Sequence, residues 1–309
     1  MSLDTYTKLW NQVLLYCPAA GPHLARDWIA DAFRQVAERR RWSWMLKRGQ
    51  FLIPAIYNTG TVAVTRSNAT VTGTNTVWTV GMVGRQFRTS ASTPIYTIAS
   101  VNTGAQTMGL DQVWGGSNAT TQAYSIWQCY HTAPTDFHSF VSVWDTVNNW
   151  QLKLHYTQNE LNSIDPQRSY TGNCYRVASF DYYTPAGSTV PLPRYELWPH
   201  QTSESVYSFL YEIRAADLDD SGATLPRYIR GDVLSEGALA STAMWPGPSI
   251  EAPNPYFNLK LAQMHSESFE RMVAELERQD DEVFEQNLSY MYPSGFGVMD
   301  SAWLQRHAV

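Results

Sequence analysis

Three clusters of side chains in this sequence could in principle do chemistry. His131 and His138 stand seven positions apart with Asp136 between them, two imidazoles and a carboxylate that could be imagined around a metal. Zinc sites draw on shorter ligand spacings or on cysteine pairs, so loop or core histidines are the expectation here. Asp217, Asp219 and Asp220 resemble part of a calcium loop, but the glycine spacing and the terminal glutamate are missing, which leaves a solvated turn. Asp280, Asp281, Glu282 and Glu285 crowd four carboxylates together. Acid–base work needs two carboxylates facing each other across a cleft, so an exposed helix face is expected instead. The sequence has no Gly-rich phosphate loop, no His-Glu-x-x-His and no Gly-x-Ser-x-Gly elbow. Cys17, Cys129 and Cys174 are far apart and form neither a zinc pattern nor a disulfide framework, as expected of reduced thiols in a cytosolic protein. The chain therefore reads as a non-enzyme with no metal and no cofactor.

Binding is the chemistry the sequence does support. Arg39, Arg40, Arg41, Lys47 and Arg48 form one basic patch, interleaved with Trp42 and Trp44. Such a patch suits DNA phosphates or an acidic partner surface. Equally, it suits a helix end where cations complement the dipole and arginine stacks on tryptophan within one subunit. The net charge of −6 argues against wrapping nucleic acid over the whole surface. Its distribution is uneven: residues 1–50 hold eight Lys/Arg against four Asp/Glu, and residues 254–287 hold three against eight. Ends of opposite sign can attract within a subunit or between neighbours. Twelve tryptophans and eighteen tyrosines suit subunit interfaces and sugar-stacking surfaces alike.

The segment after Leu288 carries Tyr290, Tyr292, Phe296 and Trp303 on a Pro/Gly-broken stretch whose full charges are Asp300 and Arg306. Disordered tails are usually polar and charged, so this one is expected to dock, on its own subunit or on a partner.

The elements that position these residues follow from periodicity. Residues 4–16 predict a helix with Asp4 as N-cap and Tyr6, Trp10, Val13 and Leu14 on one face. Gly21-Pro22 opens a second, with Leu24, Trp28, Ala32 and Val36 as its stripe, running into the basic elbow. Gln50–Ile53, stopped by Pro54, predicts a strand at a sheet edge. From Thr59 to about Thr132 the chain turns to Thr, Val, Gly, Ser and Asn in short alternating runs, which predicts a small barrel or sandwich. Strands are expected again at Phe140–Trp144, Trp150–Tyr156, Cys174–Tyr182, Arg194–Trp198 and Ser205–Ile213, the last with Val206, Phe209 or Tyr211, and Ile213 inward. A helix is expected from Pro226 to Ser241. A long one should start at Asn254-Pro255, with Phe257, Leu261, Met264, Met272, Leu276 and Val283 as its stripe and Phe269, Val273 and Phe284 alongside. No signal peptide and no apolar run of membrane-spanning length is evident.

The run ARDWIADAFRQVAERRRWSWMLKRGQFLIPAIYNTGTV, Ala25 to Val62, resembles the N-terminal region of tailed-phage head–tail connector proteins. The resemblance covers about the first fifth of the chain and returns more loosely in the C-terminal helices. It implies an adaptor: a ring, commonly of twelve copies, bound below the portal protein, meeting a tail or nozzle/stopper protein and letting viral DNA pass with transient, non-specific contact. Such a protein is made in the host bacterial cytoplasm and resides in the virion neck, with no membrane partner. On that reading Tyr290, Tyr292, Phe296 and Trp303 form the partner interface. Glu267, Glu270, Glu277, Asp281 and Glu285 would line the channel, where negative charge keeps DNA from sticking. The expected fold is α+β: a helical body with a mixed or antiparallel sheet (1–58 and 126–288), an inserted all-β module (59–125) and a docking tail (289–309). The alternatives are a carbohydrate-binding or tail-fibre-attachment β protein, stacking sugars on Trp78 or Trp114, and a two-carboxylate glycosidase.

Overall fold

The computed structural model describes residues 5–89, 94–184, 189–215, 218, 225 and 229–291, with side chains of the last helix up to residue 282. The described helices are α1 (Tyr6–Tyr16), α2 (Gly21–Glu38), α3 (Gln158–Ile164), α4 (Gly231–Met244) and α5 (Leu259–Met291). The strands are β1 (Leu46–Ile53), β2 (Thr61–Val64), β3 (Thr70–Thr74), β4 (Gln86–Arg88), β5 (Tyr96–Asn102), β6 (Thr107–Leu110), β7 (Ala119–Gln122) and β8 (Ser125–Trp127). They continue with β9 (Tyr130–Thr132), β10 (Phe137–Asp145), β11 (Trp150–Gln151), β12 (Lys153–Tyr156), β13 (Arg176–Tyr183), β14 (Leu192–Trp198) and β15 (Ser205–Ile213). Helices and largely antiparallel sheets are segregated, which places the chain in the α+β class. Two compact units result: Met1–Leu46 with Arg214–Val309, and Lys47–Ile213. The helices of the expected body and its sheet fall in different units.

The helical unit packs α1, α2, α4 and α5. Thr5 caps α1, its Oγ1 accepting from the Lys8 N–H at 3.4 Å, and Tyr6, Leu9 and Val13 are buried. In α2, Ala25, Trp28, Ile29, Ala32, Phe33 and Val36 are buried at helical spacing. Gly237 on α4 is the point of closest approach: a β-carbon there would sit 2.8 Å from the Ala32 Cβ and 3.1 Å from the Phe269 ring. Only glycine lets α2 and α5 come that near to α4.

The start of α5 differs from the expected one. Asn254 is buried and turns the other way: its Nδ2 donates to the carbonyls of Thr242 and Trp245, both at 2.8 Å, and so closes the end of α4. Its Oδ1 accepts from the Cys17 thiol at 3.0 Å. Asn258 does the capping of α5, accepting from the N–H groups of Lys260 and Leu261. The inward face is Ala262, Phe269, Val273, Leu276 and Asp280, a seven-residue rhythm, while Phe257 and Met264 of the expected stripe are exposed. Leu276 of that stripe is buried, with Phe269 and Val273 beside it as expected, so the misreading is confined to its first turns. α4 likewise begins at Gly231 and not at Pro226, which lies outside the described residues.

In the other unit, two four-stranded sheets, β1-β15-β10-β11 and β12-β13-β14-β9, contribute to one core. Phe51, Phe140, Val143, Tyr207, Phe209 and Tyr211 from the first meet Val177 and Leu197 from the second. β1 is an edge strand, as Pro54 implies. The inward residues of β15 are Tyr207, Phe209 and Tyr211; Val206 is on the other phase. The predicted run Trp150–Tyr156 is two strands in different sheets, split at buried Leu152. β8 and β9, two residues apart in sequence, likewise belong to different sheets. α3, held by a Thr157–Glu160 capping box, packs Leu161 on Ala178 and Trp198.

A third, seven-stranded sheet, β7-β2-β3-β6-β5-β4-β8, curls around its own core of Val62, Val71, Trp78, Phe87, Ile98, Met108 and Trp114 with their neighbours. Ser67, at φ 62°, makes the β2–β3 turn. Where the chain enters and leaves this sheet, Tyr57 and Ile126 exchange two backbone hydrogen bonds of 2.9 and 2.8 Å.

Candidate interaction surface: the basic elbow on the acidic helix

The elbow after α2 is built from the end of that helix. The Val36 carbonyl has lost its intrahelical donor and accepts from the Arg39 N–H and from the Trp42 indole, the latter at 2.8 Å. Trp42, thus folded back and buried, stacks on Trp44 with centroids 6.4 Å apart, and the Arg40 guanidinium lies 5.6 Å over the Trp42 ring.

The two arginines then reach α5. Arg39 pairs with Glu270 at 2.6 Å and Glu277 at 3.0 Å, residues two helical turns apart that a single planar fork can span. Arg40 pairs with Asp281 at 2.7 Å, approaches Asp280 at 3.8 Å, and donates to the Glu277 carbonyl at 3.4 Å. The Glu270 hydrogen bond raises the Arg39 pKa, and that from Arg40 lowers the Asp281 pKa, so both pairs favour the charged forms. Asp280 is buried, and its carboxylate accepts the Ser43 N–H at 3.1 and 3.2 Å and the Ser43 hydroxyl. It thereby caps the short 3-10 turn Ser43–Met45 that leads into β1.

Two groups that the sequence presents separately, the basic patch and the acidic row, are thus partly one seam. Arg39 and Arg40 meet Glu270, Glu277, Asp280 and Asp281. Asp280 corrects the expectation of a wholly exposed carboxylate face. Glu267 is exposed and accepts from Gln263 at 2.9 Å. Lys47 pairs instead with Asp136 at 2.6 Å, and Arg41 and Arg48 are exposed. The side chains of Glu285 and Tyr290, and all of Tyr292, Phe296 and Trp303, lie outside the described residues, as do Asp217, Asp219 and Asp220.

The histidine cluster separates. His131 is buried against Phe51, its Nε2 without a partner, and desolvation lowers its pKa to about 4. His138 is exposed, and Asp136 serves Lys47 and the Tyr211 hydroxyl. Among the described residues no group of three or more His, Cys, Asp or Glu side chains could hold a metal ion.

One buried constellation has no counterpart in the sequence reading. Arg168, in the left-handed region at φ 49°, pairs with Glu196 at 2.5 Å and donates to the Asp165 carbonyl at 2.6 Å. Burial opposes the Arg168 charge, and Glu196 outweighs it. Burial likewise works against Asp165 ionisation, but the N–H groups of Ser169 and Tyr170 and the Trp198 indole hold its pKa below the usual value. Both carboxylates are acceptors, the reverse of what a general acid requires. Their only sequence signal was the Asp165-Pro166 helix stop.

No protein-family model matches the chain, and no curated protein matches it either. Among the described residues no helix is long and apolar enough to cross a membrane.

Proposed function

We propose that the chain is a structural neck protein of a tailed-phage virion: an adaptor that forms a homo-oligomeric ring below the portal, meets the tail or nozzle, and lets DNA pass. The carrying observation is the role of the stretch that bears the resemblance. Residues 25–62 supply most of α2, the elbow fastened to α5, and β1, the edge strand of the sandwich. The segment that resembles connectors thus runs from one unit into the other. In this reading the helices and sandwich form the ring body, and the seven-stranded sheet is a module inserted into it. Tyr290, Tyr292, Phe296 and Trp303 dock on a neighbour or the portal, and binding energy multiplied around a ring does the work.

The seam refines the channel assignment. Glu270, Glu277 and Asp281 are compensated by Arg39 and Arg40, so Glu267 is the candidate whose charge the elbow does not offset. The sugar-stacking alternative fares worse. Trp78 and Trp114 are 1% and 3% exposed, with their indoles bonded to Tyr124 and to the Ser117 carbonyl, so neither ring face can receive a sugar.

The test is co-sedimentation of the purified chain with portal rings, beside its native mass alone by light scattering. Binding to portal, with or without prior ring formation, is the expected result. A chain that neither self-associates nor binds portal overturns the reading.

A further inference from the structure

One end of the helical unit is apolar and open. Leu15 and Tyr16 finish α1, Met244 finishes α4, and Phe257 and Leu259 stand at the start of α5, with Ile250 in the loop between the last two helices. All six are exposed, Leu259 at 67%, Leu15 at 82% and Ile250 at 100%. They are held together. Cys17, next to Tyr16, donates to Asn254; Asn254 closes α4; and the Asn258 N–H donates to Ala243 at 3.0 Å. The Tyr16 and Tyr256 rings meet at 5.2 Å. The backbone beneath the patch is therefore fixed, and the side chains above it are not scattered singles.

The sequence contains a matching apolar segment in Tyr292, Phe296 and Trp303, which follow the opposite end of α5. Geometry decides whose segment can use the patch. At about 1.5 Å per residue, Leu259 and Met291 are about 48 Å apart along α5. A fully extended chain advances about 3.5 Å per residue, so Phe296 reaches at most about 18 Å from Met291, and Trp303 about 42 Å. Phe296 cannot return to the patch at the start of its own helix, and Trp303 could touch it only with every intervening residue fully extended along α5.

We propose that the patch formed by Leu15, Tyr16, Met244, Ile250, Phe257 and Leu259 receives the segment Tyr292–Trp303 of a second copy of this chain. The contact is head-to-tail: each copy offers a patch at one end and an anchor segment at the other. Repeated by rotation, such a heterologous contact closes into a ring, the form that the neck reading requires and on which this inference rests. The segment from 292 to 303 carries one full charge, Asp300, and exposed Glu251 and Lys260 flank Ile250 and Leu259 at the rim of the patch.

The test uses two variants of the full chain, Ile250→Asp with Leu259→Asp in the patch, and Phe296→Ser with Trp303→Ser in the segment. Sedimentation velocity should show the unaltered chain as an oligomer and each variant with association weakened by at least about tenfold. Circular dichroism should show both variants folded, since all the altered patch residues are exposed. Mixing the two variants is the decisive arm. The intact segment of one then meets the intact patch of the other, giving a one-to-one heterodimer and nothing larger. A mixture that stays monomeric, a patch variant with the original mass, or an unaltered chain that is monomeric at all concentrations overturns the proposal. If that monomeric chain still binds portal rings, the neck reading survives and only the patch assignment falls.

Discussion

Asp280, deep in the last helix, caps the backbone at Ser43, 237 positions earlier, accepting its N–H at 3.1 Å. The elbow between α2 and β1 is thus held by a carboxylate from the far end of the sequence. A buried acceptor serving an otherwise unpaired donor is the kind of contact whose loss is felt, because the donor is left without a partner.

Asp280→Ala should therefore lower stability by about 1–2 kcal/mol, the usual range for a lost cap. Ser43→Ala, which keeps the backbone N–H, should cost less. Urea unfolding of the two single variants and the double variant gives the coupling. Strict additivity would mean that the hydroxyl contact contributes nothing, while an Asp280→Ala variant as stable as the unaltered chain would mean that the cap itself contributes nothing.

The Arg39 seam is electrostatic and largely exposed, so its signature is salt dependence. Glu270→Lys with Glu277→Lys should lower the melting temperature at low salt, and the loss should shrink as salt is raised and the charges are screened. Adding Arg39→Glu should recover part of it. Glu267→Lys, away from the seam, should leave the melting temperature unchanged and act, if anywhere, on DNA retention during ejection.

Two buried histidines set an acid limit. His131 and His200 both have pKa values lowered to about 4, mainly by burial, with the Arg88 charge adding to the effect at His200. The unfolded chain binds these protons near pH 6.5, before the folded one does. Their neutral burial therefore leaves stability intact above about pH 6.5 and erodes it as pH falls through 4. For His131 the full loss is on the order of 3 kcal/mol. His131→Phe should flatten part of that slope in unfolding measured between pH 7 and 4; an unchanged slope would contradict the assignment.

The seven-stranded sheet has its own core, so Trp78→Ala should cost about 3–5 kcal/mol there. Thermal unfolding should then show an early transition for this sheet ahead of the rest. Excision is better made at residues 59–127 than at 59–125, because β8 (Ser125–Trp127) pairs with β4 inside this sheet and Ile126 belongs to its core. The remaining chain should be soluble and helical by circular dichroism. Insoluble product would mean that the sandwich depends on the sheet it carries.

What was legible in the sequence was local. α2, the elbow and β1 follow from a change of period between Glu38 and Leu46, and the β2–β3 hairpin follows from its turn residues. Opposite charge at the two ends foretold an attraction and left its partners unnamed. What failed was non-local. Alternation cannot show that residues 150–156 change sheets at Leu152, and the start of α5 is placed too early because Asn254 spends its side chain on α4 and α1. Asp280 looks like one more surface acid until the backbone it serves is in place. Trp78 and Trp114 invited a sugar reading because composition does not report which way a ring faces.

The two hydrogen bonds between Tyr57 and Ile126 close a large loop, and the entropy of closure grows only with the logarithm of length. Doubling the enclosed segment would cost about 0.6 kcal/mol more. The chain between these residues can therefore lengthen, shorten or be exchanged with little thermodynamic penalty at the closure itself.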